Sequence, residues 1–348
     1  MRRCCAWREK TFTDHLGKKQ GSYSSVNKEG HVESISMKVF LTGATGFVGS
    51  HLLQRLLHDG HHIRALVRDP QNSNLPTGPN IELVGGDIVE GTGLDEAMQS
   101  CEAVIHLVGI IMETRTATFE KIHHLGTRNV VESARRNHIS RFVQMSALGA
   151  RANGVSEYQT SKWKGEEAVR QSGIPFCILR PSLIFGPRDG FVSQMLDVMR
   201  KAPLLRPVPG NGRPKFRPIF IGDVTACFAQ ALTNPAATNK SIDLGGGEEL
   251  TLNQVLAGIA ECAGVRKPAV HIPMPLMFAG AALAQTLLPR PPVTVGQLRM
   301  LQEGSTCDVL PMMEIFSIKP LGFRIGLRTC LGSGAAPNSA ATSSDFKG

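Results

Sequence analysis

The sequence predicts an α/β protein, a doubly wound parallel sheet with helices on both faces and a smaller, interleaved C-terminal part. Three observations predict it. Short apolar runs alternate with helical patterns from residue 37 to about 180, and strands separated by helices build a parallel sheet through right-handed crossovers. A glycine-rich turn, Thr42-Gly43-Ala44-Thr45-Gly46-Phe47-Val48-Gly49, joins the first strand to the first helix. Tyr158 and Lys162, four residues apart, open a later helix behind another strand.

Each element follows in order. Residues 1–36 are polar, without sustained periodicity, and read as a disordered extension. A strand beginning directly at Met37 makes that residue the candidate start. The rival reading is a targeting peptide. Arg2, Arg3 and Arg8 favour it, whereas Glu9, Asp14, Glu29, Glu33 and the lack of an apolar run oppose it. The first strand covers 37–41 and the first helix 50–58. Runs at 63–67, 81–84, 103–108, 142–146 and 176–179 read as buried strands, with helices at 93–101, 119–137 and 162–172 between them.

After residue 180 the texture changes. Prolines and glycines cluster through 181–218, then come a strand at 216–221, a helix at 222–232, a strand at 241–244 and a helix at 251–262. Residues 37–180 are therefore assigned to a nucleotide-binding domain. Residues 181–330 form a smaller substrate- or partner-side domain with some return to the first sheet. Residues 331–348, rich in Gly, Ala and Ser, are assigned to a disordered tail. The stretch 274–288 is apolar except for Gln285 and Thr286. It is shorter than the roughly 20 residues of a bilayer span. A buried helix is the first expectation and a membrane- or partner-facing helix the second.

The chain has 348 residues, enough to bury a substantial core. Its formal charge is +9. No Lys/Arg run is interleaved with aromatics and no nucleic-acid motif is present, so nucleic acid is not an expected partner. An anionic membrane surface or a phosphate-rich ligand explains the charge as well. The eight cysteines are scattered without a C-x-x-C pair, and most sit in apolar stretches, which favours free thiols in a reducing compartment. The expected location is cytoplasmic, with peripheral attachment at the inner face of a membrane as its variant. His61-His62 and His123-His124 are adjacent pairs, not the i, i+4 spacing that aims two rings at one metal, so no metal is expected.

The glycine loop points to a dinucleotide. Gly43 makes the tight turn, Gly46 lets a pyrophosphate approach backbone N–H groups, and Gly49 lets the helix pack on the strand. Thr42, Thr45, Phe47 and Val48 complete the cradle. The G-x-x-G-x-x-G spacing is one residue longer than the G-x-G-x-x-G fingerprint. At the tip of the second strand, neutral Val67 is followed by Arg68, whose guanidinium would clamp a 2′-phosphate, which favours NADP(H) over NAD(H). The alternatives are a solvated Arg68 or an Asp69 that reaches the ribose. Asp87, followed by Ile88, would accept from an adenine amino group, or else cap the helix near Thr92. Leu107, Val108 and Gly109 would line the nicotinamide ribose with backbone. Tyr158 and Lys162 share one helix face. An ammonium nearby would lower the phenol pKa, and Tyr158 would then trade a proton with a substrate hydroxyl while Lys162 holds the ribose.

These residues resemble the short-chain dehydrogenase/reductase superfamily, in its extended and atypical branches. The matching segments are TGATGFVG (42–49), GGDI (85–88), VIHLVG (104–109), YQTSK (158–162), LRPSLIFGP (179–187), RPIFIGDV (217–224) and SIDLGGGEELTLNQV (241–255). Within it the chain is similar to NAD-dependent epimerase/dehydratase-like sequences, and most to the bacterial group resembling the nucleotide-binding accessory subunit of respiratory complex I. The resemblance implies a Rossmann domain and bound NADP(H). For the mitochondrial relative it implies a structural role rather than turnover. Two departures stand out. Active members follow the fifth strand with Ser-Ser or Ser-Thr, and here Ser146-Ala147 stands there, so the third catalytic group is missing unless Ser146 substitutes. His123 takes the place of a usual Asn. The expected function is thus NAD(P)(H) binding of the complex I accessory type with weak or absent turnover, near a membrane respiratory complex. The alternative is an NAD(P)-dependent epimerase/dehydratase or reductase. It would act on a nucleotide sugar or a small carbonyl or alcohol, with Arg180, Arg188 and Arg217 available as charges.

Overall fold

In this computed structural model the described residues are 36–331, together with two three-residue strands, Ser24–Val26 and Val32–Ser34, which pair antiparallel. The rest of the expected extension and the tail after Leu331 lie outside the described residues.

The apolar, β-branched runs become seven parallel strands: β1 (Lys38–Thr42), β2 (His62–Val67), β3 (Ile81–Gly85), β4 (Ala103–His106), β5 (Arg141–Met145), β6 (Phe176–Pro181) and β7 (Lys240–Leu244). Their order is β7-β6-β5-β4-β1-β2-β3. The chain runs from β1 outward to β3, then crosses back to β4 and proceeds the other way. The order therefore reverses between β1 and β4, and a crevice opens at their carboxyl ends. Thr42 and His106, the last residues of those two strands, are cross-strand partners. β4 is buried at every position, as a strand covered on both faces must be.

Helices cover both faces. On one lie α1 (Phe47–His58), α6 (Ile221–Ala231) and α10 (Leu310–Phe316), which pack Leu52, Leu56, Val224, Phe228, Met312 and Phe316 onto the sheet. On the other lie α2 (Leu94–Met98), α3 (Gly126–Arg136) and α4 (Glu157–Arg170), with Met98, Val130, Ala134 and Val169 buried. A third apolar cluster joins α5 (Gly190–Lys201), α7 (Leu252–Cys262) and α11 (Phe323–Leu331) through Leu196, Leu256, Ile259 and Phe323.

The elements differ from expectation in several places. The helix expected over 119–137 begins as a π turn, Glu120–Leu125, before α3. Such widened turns are frequent at functional sites. The strand expected over 216–221 is two, Lys215–Phe216 and Ile219–Phe220, separated at Arg217-Pro218, and a proline has no N–H to give a ladder. The helices α5, α9 (Val295–Glu303), α10 and α11 and the strand pair Arg206–Pro209 with Ala269–Ile272 had no counterpart in the sequence reading. The apolar stretch 274–288 forms α8 (Met274–Leu287), but it is not a buried helix, because only Ala281 is buried. Among the described residues, no helix is long and apolar enough to cross a membrane.

Candidate functional site

The glycine loop closes as a turn at the end of β1. Gly43 has φ +78°, and a Cβ there would stand 3.1 Å from the Val108 nitrogen, so the turn lies against the backbone leaving β4. The Gly46 N–H donates to the Gly43 carbonyl at 3.0 Å. A Cβ on Gly49 would fall 2.0 Å from that same carbonyl oxygen, so only glycine lets α1 come this close. Gly46 caps α1 without any side-chain acceptor, and the first turn holds no acid. Thr45 and Gly46 are exposed, and the helix N-terminus keeps its positive field for an anion. The cradle fits a pyrophosphate.

Around the crevice the polar side chains form a chain of contacts. Thr127 donates to the His123 carbonyl at 2.7 Å, so its oxygen accepts from His106 Nε2 at 3.1 Å. His106 then carries its proton on Nε2, and Nδ1 accepts from the Thr42 hydroxyl at 2.7 Å. Burial, then the Lys162 charge, pushes His106 down to about 3. It is a neutral tie between β1, β4 and α3.

His123 works in the same way. The Ile110 N–H donates to its Nε2 at 3.0 Å, leaving the proton on Nδ1, which faces Ser161 Oγ at 2.8 Å. Ser161 in turn donates to the Tyr158 carbonyl at 2.9 Å. Burial, then Lys162, pushes His123 down to about 2. Its ring stacks on Phe119, and its edge meets Tyr158 with centroids 5.4 Å apart. In the place of the usual Asn, a neutral ring thus holds the loop after β4 against α4.

Lys162 is buried, and its Nζ donates to the Met145 carbonyl at the end of β5, at 3.2 Å. A Cβ on Gly109 would lie 2.7 Å from that Nζ, which brings the ammonium directly to the backbone after β4. Burial pushes Lys162 down to about 8, with Glu166 one turn on acting against it. Tyr158 does not have the lowered pKa expected from its neighbour. Burial is the cause that prevails, and it pushes the phenol up to about 12. At neutral pH Tyr158 is a proton donor. Ser146, directly after Met145, is buried, and its Oγ has no hydrogen-bond partner.

The adenosine side is less enclosed. Arg68 follows the end of β2, exposed and without a partner among the described residues. The Asp69 carboxylate accepts from the Gln71 and Asn72 backbone and from the Asn72 side chain, so it is engaged in its own turn. Asp87 does not cap α2, the helix just after Thr92. Its Oδ1 accepts from Val89 N at 2.6 Å and Glu90 N at 3.3 Å. Ile88 packs beneath Gly126, where a Cβ would meet it at 2.8 Å. Leu107 is buried, and its N–H continues the β1 ladder to the Thr42 carbonyl.

Of the three arginines considered for a sugar nucleotide, Arg180 is already committed. It grips the buried Glu166 carboxylate at 2.5 and 2.7 Å, together with Arg170. Arg188 reaches Ser50 at the start of α1, at 3.4 Å. Arg217 donates to the Gly246 and Gly247 carbonyls. The sequence reading missed Thr127, Ser161 and Glu166. The only signals for them were spacings of four residues, from His123 to Thr127 and from Lys162 to Glu166. Among the described residues, no cluster of His, Cys, Asp or Glu is placed to hold a metal.

Comparison with known proteins agrees with this geometry. The model of the NAD dependent epimerase/dehydratase family matches residues 39–245. The chain is 29% identical over 245 residues to the ceramide reductase of Caulobacter vibrioides, covering 70% of this chain and 76% of that one. It is 29% identical over 280 residues to the mitochondrial NADH dehydrogenase [ubiquinone] 1 alpha subcomplex subunit 9 of Arabidopsis thaliana, covering 77% of this chain and 66% of that one. Among solved structures, the UDP-glucose 4-epimerase of Thermotoga maritima superposes with a TM-score of 0.67 at 19% identity, covering 85% of this chain and 98% of that one, a likeness of fold. The dinucleotide cradle at the β1–β4 reversal, the Tyr158–Lys162 pair and a match across more than half the length place the chain in the NAD dependent epimerase/dehydratase family.

Proposed function

We propose that this protein holds NADP(H) across the carboxyl ends of β1, β2 and β4 and reduces a carbonyl, or oxidises the matching alcohol, beside Tyr158. The observation that carries the reading is the Lys162 ammonium on the Met145 carbonyl at the end of β5, beside the unpartnered Ser146 hydroxyl, with Tyr158 one turn before Lys162 on α4. A buried hydroxyl without a partner costs about 1–3 kcal/mol, and a substrate oxygen would relieve that cost. Ser146 thereby stands in for the hydroxyl that Ala147 lacks.

A bound nicotinamide supplies the hydride. The protein supplies the proton: as the carbonyl carbon gains hydride, its oxygen takes the Tyr158 proton, and the phenolate left behind is stabilised by the buried Lys162 ammonium. In the reverse direction Tyr158 takes the alcohol proton back. Neutral His123 and Ser161 keep α4 and the loop after β4 in register and do not exchange protons at neutral pH. Arg68, exposed and unpaired at the tip of β2, clamps the 2′-phosphate. The similarity to a ceramide reductase supports a reductase reading of this site.

A second reading rests on Ala147 and on the similarity to the complex I alpha subcomplex subunit. In it the dinucleotide is a structural ligand of a membrane respiratory complex and turnover is weak or absent. Tyr158→Phe separates the two. If that variant retains nucleotide but behaves like a deletion in the cell, chemistry is the function. If it behaves like wild type while Gly49→Ala behaves like a deletion, holding the nucleotide is the function.

A further inference from the structure

Helix α8 is apolar on both faces. Met274, Met277, Phe278 and Ala281 lie buried or half-buried against the body of the protein. On the opposite face, Leu276, Leu283 and Leu287 are 65%, 60% and 69% exposed. A surface helix normally turns charged or polar residues outward, yet α8 contains no charged residue at all. Leu288 extends the stripe. The helix leads out of a parallel strand pair, Arg206–Pro209 with Ala269–Ile272, beside which Leu204, Leu205 and Val270 are also exposed. A run of exposed large apolar side chains on an uncharged helix marks an interaction site.

The charge around it identifies the occupant. No Asp or Glu occurs in 198–222 or in 262–302, the two stretches that the strand pair joins. They carry six and four Lys/Arg; Lys215 and Arg217 pair with Glu249 and Lys267 donates to the carbonyls closing α5, whereas Arg200, Lys201 and Arg266 are exposed. The whole chain has 38 Lys+Arg against 29 Asp+Glu, so these stretches hold the entire net positive charge and the remainder is close to neutral. A second copy of the chain would bring two strongly basic faces together. An anionic lipid surface satisfies both features, since the acyl boundary takes the leucines and the headgroups take the basic side chains.

We infer that the outward face of α8, with Leu204, Leu205 and the basic residues beside them, seats the protein on an anionic lipid surface. This inference stands apart from the reading of the site. The docked side nevertheless borders the site. Gly296, in the first turn of α9, lies against Ser156, the cap of α4 two residues before Tyr158.

The test is sedimentation of the full chain with vesicles. One set contains phosphatidylcholine with phosphatidylglycerol, the other phosphatidylcholine alone. The expected result is binding to the mixed vesicles that falls about tenfold on the neutral ones and weakens with added salt. The double variant Leu283→Glu/Leu287→Glu, changed only on the exposed face, should lose about tenfold as well, as should the milder Leu276→Ser. Unchanged nucleotide retention certifies that both variants are folded. Failure to sediment with the mixed vesicles overturns the inference, as does binding that the leucine variants leave intact. A dimer in solution that the double variant dissociates also overturns it, by assigning the face to a second copy.

Discussion

At the residue scale, the site depends on which groups are kept neutral and which are kept charged. Lys162 is the costly one. Its folded pKa is pushed from the ordinary 10.5 to about 8 by burial. Between those values the unfolded chain binds the extra proton and the folded one does not, so this residue's contribution to stability rises with pH across the window. At pH 7 the penalty is complete, about 3 kcal/mol. Lys162→Met should therefore raise the melting temperature of the nucleotide-free protein at pH 7, and that advantage should shrink between pH 8 and 10.5. A constant difference across that range would mean the ammonium is solvated. Tyr158→Phe should lower turnover about 10²–10⁴-fold while nucleotide is retained, and Ser146→Ala should lower it less. Steady-state rates checked against nucleotide content separate these effects. Arg68→Ala should weaken NADPH binding about 10–100-fold, the worth of one or two charge-assisted hydrogen bonds, with NADH nearly unchanged. Equal losses in paired titrations would refute the clamp.

At the element scale, the decisive feature is the approach of α1 to the loop that precedes it. Gly49→Ala would drive a Cβ into the Gly43 carbonyl at 2.0 Å. It should cost about 2 kcal/mol or more and release the nucleotide, as thermal melts with and without added cofactor would reveal. The loop was legible in the sequence because its glycines sit between an apolar run and a helix. The central strands were legible because both faces are covered, which leaves continuous apolar runs, whereas edge strand β3 has no buried residue. The contacts among Thr42, His106, Thr127, His123 and Ser161 were not legible. They depend on β1 and β4 lying side by side in register and on a π turn that local propensity does not announce. Arg180 reads as a free charge until the fold pairs it with Glu166, 14 residues away.

At the scale of the whole molecule, two properties were read in part. The net charge of +9 was seen in the composition, but its concentration on the side of α8 needs the strand pair that joins 198–222 to 262–302. The apolar stretch 274–288 was expected to be buried first. A buried helix and an exposed one carry the same composition, and only the surroundings distinguish them. The helices α9 to α11 escaped the reading because each is short and only half covered, and α5 because it lies inside a stretch punctuated by proline and glycine.

The dinucleotide class follows from the family, and NADP(H) held by Arg68 is the finer proposal. The most direct measurement is to denature the purified protein and identify the released nucleotide by mass. NADP or NADPH is the expected species. Release of NAD or NADH would contradict the proposal, leaving Arg68 in solvent and favouring an epimerase or dehydratase cycle at Tyr158.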